Sequence, residues 1–563
     1  MKKFFITRRR LLRTSVSSSV LFLAGCATTA TQPMMGMNHG HMGAGAAKPM
    51  EMKAHPGRAL NEAFVADVDI ALRAIQTEVA LLSGKATQVW RYEGQVLKGD
   101  NSTVTMLPNS SIGPIIRVRR GQKVRVRFSN QLPDKTALSV VHWHGLHLPE
   151  DMDGHPRIAI APDSTYTYEF EVTDRAGTYW FHPHPHGDTA RQVYRGLAGM
   201  FIVSDDEEQA LKLPAGEFDV PLVLQDRTFD ANNQLQYLGG GMMGGMMTQM
   251  MGFIGDKILV NGRPEAKLDV ATRAYRLRVL NGSNARIYKL AWSDGSPLNV
   301  IGTDGGLLDK PLQRDYLMLS PGERAELFVD FSSRKIGDSM KLVSLAFEGV
   351  ENVAVPPALK SQASGGMGQM MVESNALPQG QAFDVLVVKI ARDDPQRGAY
   401  KLPAALSVVP RLKLSDAVNV TKPRQFEIDH QMMNWRLNGK QWEGDVAAPN
   451  EQVKLNTTEV WEFVNKLNLG EMMDPMGMAH PIHIHGVHFQ VIERVLTVSE
   501  LQANYDTVRT GFVEEGLKDT FLLMPGERVK VLLHFKDFTG KFVYHCHNLE
   551  HEDQGLMRNY QVL

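Results

Sequence analysis

The stretch Gly540-Lys-Phe-Val-Tyr-His545-Cys546-His547 lines up with Gly177-Thr-Tyr-Trp-Phe-His182-Pro183-His184, more than three hundred and fifty residues earlier. A second pair matches in the same way, His142-Trp-His144-Gly145-Leu-His147 against His483-Ile-His485-Gly486-Val-His488. A repeat at this separation marks duplicated domains at the two ends of the chain. A third echo, Leu319-Ser-Pro321-Gly322-Glu323-Arg324 against Leu523-Met-Pro525-Gly526-Glu527-Arg528, ties the segment between them to the last. Strand signals surround these motifs. Val124-Arg-Val-Arg-Phe128 alternates strictly after the turn at Arg120-Gly121, and Tyr275-Arg-Leu-Arg-Val-Leu280 alternates in the same way. Many short strands punctuated by Gly and Pro predict an all-β chain of sandwiches. We place domains at 60–210, 211–395 and 396–563, preceded by an export signal (1–25) and a tether (26–59).

Composition agrees with a folded chain and narrows its partners. Of 563 residues 43% are hydrophobic and 22% charged, and 61 basic side chains balance 62 acidic ones, so no nucleic-acid partner is indicated. The length allows about three or four domains at roughly 150 residues each. Two cysteines stand against 29 methionines and 19 histidines. Both cysteines have other uses, which leaves no disulfide framework.

The first cysteine closes an export signal. Thr7-Arg8-Arg9-Arg10-Leu11-Leu12 resembles a twin-arginine signal, and the apolar run from Val16 to Ala24 is too short for a permanent span. Leu23-Ala24-Gly25-Cys26 resembles a lipoprotein cleavage box, which makes Cys26 a lipid-carrying first residue and the mature protein a membrane-anchored, periplasmic one. The alternative is a basic general export signal with an incidental cysteine. From Ala27 to Arg58 the chain is too poor in large apolar residues to fold alone and reads as a tether. Met34-Met35-Gly-Met37-Asn-His39-Gly-His41-Met42 within it suits a soft cation such as Cu(I), or is simply a spacer.

Four His-x-His motifs carry the chemistry. On a strand, residues i and i+2 leave the same face, so each motif aims two imidazoles into one space, roughly 7 Å apart at the backbone. Eight imidazoles could hold three metal ions, although imidazole alone does not name the metal. Cys546 does. Alternation sends its thiolate to the face opposite His545 and His547, where it can ligate a separate ion while staying covalently joined to two cluster ligands. A cysteine with two histidines and a weak axial ligand describes a blue-copper electron-transfer site, and His480 and His551 are available to complete it.

Together, His142-Trp-His-Gly, Trp180-Phe-His-Pro-His184, His480-Pro-Ile-His-Ile-His485 and His545-Cys-His-Asn-Leu-Glu-His551 resemble the multicopper oxidases, in particular the three-domain bacterial cuprous oxidase and laccase-like branch, from about residue 65 to Leu563. The resemblance implies three cupredoxin-like Greek-key β-sandwich domains and four copper ions. His480, Cys546 and His551 would bind the type 1 ion, and His142 and His483 the type 2 ion. His144, His182, His184, His485, His545 and His547 would hold the type 3 pair. Asp153 and Glu552 fall where such oxidases carry acids implicated in proton transfer to O2. The flanking His147, His186 and His488 match no ligand position and read as structural. The family's axial position, ten residues after the cysteine, is Leu556, which cannot ligate. A small loop adjustment would substitute Met557.

Methionine clusters at 242–251, at 367–371 and at Met472-Met473-Asp474-Pro-Met476-Gly-Met478 sit in glycine-rich settings. The last ends two residues before His480, so Met472, Met473, Asp474, Met476 and Met478 are candidates to deliver Cu(I) there. The expected activity is one-electron oxidation of Cu(I), and of small organic reductants such as phenols, coupled to reduction of O2 to water. It serves copper tolerance and is carried out by a monomer. A general laccase is the nearest alternative. A copper-sequestering or scaffold protein without turnover is a further one, and nitrite reduction fits less well.

Overall fold

A computed structural model describes residues 52–238, 245, 248–351, 377–431, 434–467 and 477–563. Cys26, the 34–42 cluster, Met472, Met473, Asp474, Met476 and the 367–371 cluster lie outside these, as do Met242, Met243, Met246 and Met247. Strands dominate the described residues, in six sheets of four to seven strands. They pair face to face around three apolar cores, as β-sandwiches do. The first core holds Leu72, Val126, Phe128, Trp143, Phe181 and Phe201. The second holds Leu277, Val279, Leu290, Leu327 and Leu386, and the third Phe463, Ile482, Val531, Tyr544 and Tyr560. Full burial of each such side chain contributes about 1.5–3 kcal/mol.

The duplication inferred from the motifs is visible in strand order. Val68–Val79 pairs antiparallel with Thr87–Lys98 and parallel with Lys123–Gln131. Asp219–Arg227 does the same with Lys257–Val260 and Ala274–Asn281, and Arg424–Gln431 with Asn434–Leu437 and Thr457–Asn465. Lys123–Gln131 alternates as its sequence predicts, with Val124, Val126 and Phe128 buried. Ala274–Asn281 departs from expectation, being buried on both faces. Its polar face meets the first sandwich instead of water. Arg278 bonds Thr178 Oγ1 at 3.2 Å and Glu326 at 2.8 Å, while Arg276 pairs with Glu208 and Glu326.

The strands that matter below are β1 (Val141–His144), β2 (Gly177–Pro183), β3 (Arg324–Asp330), β4 (His480–Ile484), β5 (Thr520–Leu523), β6 (Gly540–Cys546) and β7 (Met557–Val562). The short helix α1 (Leu549–Asp553) joins β6 to β7. β1 and β2 pair with His142 opposite His182, and β4 and β6 with His483 opposite His545. Among the described residues no helix is long and apolar enough to cross a membrane.

Candidate metal centre

All eight His-x-His imidazoles are buried in one space between the first and third sandwiches, four from each. Glycine ends the first motif because the chain must turn at φ +90° beside a carboxylate. A Cβ on Gly145 would stand 2.6 Å from Asp519 Oδ2.

Hydrogen bonds fix which nitrogen is left over in several of the rings. His142 Nδ1–H donates to the Asp153 carbonyl at 2.7 Å and His483 Nδ1–H to the Asp519 carbonyl at 2.8 Å. Their Nε2 atoms, both left as lone-pair acceptors, face each other at 3.4 Å. His485 Nδ1–H donates to Asp153 Oδ2 at 2.7 Å and His545 Nδ1–H to the Cys546 carbonyl at 3.1 Å, again turning two bare Nε2 atoms toward each other at 3.1 Å. His184 Nε2 joins them at 3.2 Å. Ring nitrogens converging this closely suit a cation between them. A third group comprises His144 Nδ1, His182 Nε2 and both nitrogens of His547, all buried without a hydrogen-bond partner. Burial, reinforced by neighbouring imidazoles, pushes His142, His144, His182, His184, His485 and His547 well below the ordinary histidine range, and His483 to about 3. Neutral rings are the form that binds metal.

A separate set lies on the opposite face of β4 and β6. Period-two alternation puts His480 with Ile482 and Ile484, and Cys546 opposite Ile482, all away from His483 and His485. Cys546 Sγ stands 3.5 Å from His480 Nδ1 and 3.6 Å from His551 Nδ1. His551 Nε2–H donates to the Met250 carbonyl at 2.8 Å, which reserves Nδ1 for the thiolate side, and the Asn548 N–H points at Sγ from 3.4 Å. Trp435 packs against both rings and also donates to the Met250 carbonyl. Burial pushes the Cys546 thiol up and His551 down to about 3. A thiolate with two neutral imidazoles in a dry site is a donor set for a soft, trigonal ion, and copper fits it.

Both sequence-selected acids reach the eight-histidine cluster. Asp153 contacts His485, and its unpartnered Oδ1 lies 3.7 Å from His142 Nδ1. Glu552, on α1, lies 3.2 Å from His545 Nδ1 and 3.6 Å from His184 Nδ1. His488 stands 4.0 Å from Asp519, His147 pairs with Asp537, and His186 packs on Trp442. Sequence reasoning missed Asp519, Arg324 and the Met250 carbonyl. Only the pairing of β4 with β5, which brings Thr520 opposite His483, puts Asp519 at the cluster, and no local motif announces it.

Family models described as multicopper oxidase match residues 76–208 and 417–563. The laccase of Bacillus stratosphericus is 30% identical over 519 residues, covering 85% of this chain and 91% of that protein. The chain belongs to the multicopper oxidases. McoA, the multicopper oxidase of Aquifex aeolicus, shares its fold at a TM-score of 0.69 with 32% identity, over 91% of this chain and 100% of that one. A multicopper oxidase from Campylobacter jejuni described as a metallo-oxidase aligns at 0.66 with 26% identity, over 91% and 94%. This multicopper oxidase is thus an oxygen-using oxidoreductase of cupredoxin-like sandwiches that binds copper.

One sequence reading changes within the oxidase. Met478 is no exposed copper donor: it packs in the third core with Phe463 and Leu523 at 3% exposure, two residues before β4 and with its carbonyl fixed by Asn465. Register separates the two residues weighed for the axial position. Met557 pairs across from His545 and packs with Trp442 and Val543, whereas Leu556 shares the Cys546 core.

Proposed function

We propose that the oxidase takes electrons singly from Cu(I), and from phenols or similar small reductants, and delivers four to O2, forming water and conferring copper tolerance. The observation that carries this is Cys546: its sulfur belongs to one donor set while its peptide neighbours His545 and His547 belong to the other. One short covalent path joins the two. His480, Cys546 and His551 would hold a type 1 copper, His142 and His483 a type 2 copper, and the remaining six histidines the type 3 pair. Bound there, copper supplies reversible one-electron chemistry on the thiolate side and four-electron reduction of O2 on the imidazole side. The chain's own part is to exclude water, hold the rings neutral and deliver protons from Asp153 and Glu552.

Leu556, which shares the Cys546 core, has no donor atom, so a copper held by His480, Cys546 and His551 would lack a thioether ligand from it, which would favour the reduced ion and a high potential. Leu556→Met is expected to lower that potential and slow phenol oxidation, at a stability cost under about 1.5 kcal/mol because the swap conserves volume. Redox titration of the blue absorption checks it.

Methionine-rich segments and the metallo-oxidase neighbour favour Cu(I) as donor. The test is oxygen uptake by the copper-loaded protein with chelated Cu(I) and, separately, a phenol. Rapid uptake with Cu(I) is expected. Uptake with the phenol alone would make the enzyme a laccase, and uptake with neither would leave copper sequestration. Export by the twin-arginine route and a lipid on Cys26, anchoring a periplasmic monomer, belong to the same proposal. Mass measurement of the membrane-extracted protein tests the lipid.

A further inference from the structure

The middle sandwich contributes no histidine to either donor set, yet its loop 319–324 touches the cluster. Gly322, at φ +88°, lies so close that a Cβ there would stand 3.1 Å from His144 Cε1 and 3.1 Å from His547 Cδ2. Two residues on, Arg324 at the start of β3 is wholly buried and uses every donor it has. Nε donates to the Thr178 carbonyl at 2.9 Å, Nη1 to the Gly322 carbonyl at 3.2 Å and Asp519 Oδ1 at 2.7 Å, and Nη2 to the Asp304 carbonyl at 2.9 Å and Asp519 Oδ2 at 2.6 Å. One planar guanidinium therefore spans all three sandwiches and grips Asp519 bidentately.

Asp519 passes that fixity on. Its Oδ1 lies 3.1 Å from His144 Nε2, and its carbonyl accepts from His483 Nδ1. These two contacts turn His144 Nδ1 and His483 Nε2, opposite ends of their rings, toward the cluster. Thr520 Oγ1 sits between them, 3.2 Å from each ring and 2.9 Å from Asp519 Oδ1. The duplicated loop in the third sandwich shows what the motif does without this role. Its arginine, Arg528, is part exposed and pairs with Glu462 and Glu493.

We infer that Arg324 is a positioning residue, holding Asp519 so that His144 presents Nδ1 and His483 presents Nε2 to the metal cluster. The inference rests on the copper assignment proposed above. Lysine keeps the charge but not the planar fork, and methionine keeps the bulk with neither.

The experiment compares Arg324→Lys, Arg324→Met and Asp519→Asn with Arg528→Met as control, each loaded with copper. It records copper per chain, the blue absorption, the type 2 electron paramagnetic signal and oxygen uptake. Expected is an intact blue absorption in every variant. The three cluster-side variants should show a shifted or missing type 2 signal and at least about tenfold slower uptake, with Arg528→Met indistinguishable from the parent. An Arg324→Met protein with full copper and an unshifted type 2 signal would overturn the inference. Should Arg324→Met not fold, Arg324→Lys and Asp519→Asn decide it, and an unshifted signal in both is equally fatal. If the parent itself lacks a type 2 signal, the copper assignment fails first, which is a distinguishable result.

Discussion

Replacing Cys546 by serine is expected to abolish the blue absorption, remove one copper ion per chain and slow oxygen uptake by about a thousandfold or more, a loss of ~4 kcal/mol in barrier terms. The reason is positional. Sγ lies 3.5 and 3.6 Å from His480 Nδ1 and His551 Nδ1, and Leu556 in the same core offers no donor to replace it. Serine is close in size, so the third core, where Cys546 packs with Tyr544 and Ile482, keeps its shape. The imidazole cluster, on the other face of β6, keeps its ligands. Metal analysis, absorption spectra and an oxygen electrode check the three parts separately. Loss of the cluster's copper together with the blue ion would show that the two faces are not independent.

Asp153→Asn is the second large effect. The carboxylate accepts from His485 with one oxygen and turns the other, unpartnered, toward His142. Burial raises its proton affinity well above that of an ordinary aspartate, so in the copper-free protein it retains a proton where a surface aspartate would not. The sign follows. Turnover that draws on this proton falls as pH rises through the raised value, and bound copper shifts that limb toward lower pH. Asparagine keeps the size and can still accept from His485, but has no acidic proton. Turnover should fall about a hundredfold, the ordinary contribution of a positioned acid, with the alkaline limb flattened and the blue absorption unchanged. Steady-state oxygen uptake against pH, beside spectra of the same samples, measures both. An unaltered pH profile would remove Asp153 from proton delivery.

Much of this was legible because the decisive patterns are local. Period two in His480 to His485 and His545 to His547 assigns the faces before any fold is known, and repetition of two motifs gives the duplication. What the sequence withholds depends on contacts between distant strands. Arg276 and Arg278 read as a solvent face because nothing within Tyr275–Leu280 shows that Glu208, Glu326 and Thr178 will cover them. Met478 reads as part of a methionine patch because its burial is set by the partners of β4. Leu556 and Met557 are adjacent, and only the pairing of β7 with β6 tells them apart.

The cluster divides its ligands between β1 and β2 on one side and β4 and β6 on the other, so its histidines span positions 142 to 547. That division sets a clock. A ribosome must pass His547, just beyond β6, before the site exists, and a chain that stops short of β4 holds only the four imidazoles of the first sandwich. The full set of eight imidazoles therefore exists only once both end sandwiches are made, and a product truncated before β6 lacks two of them.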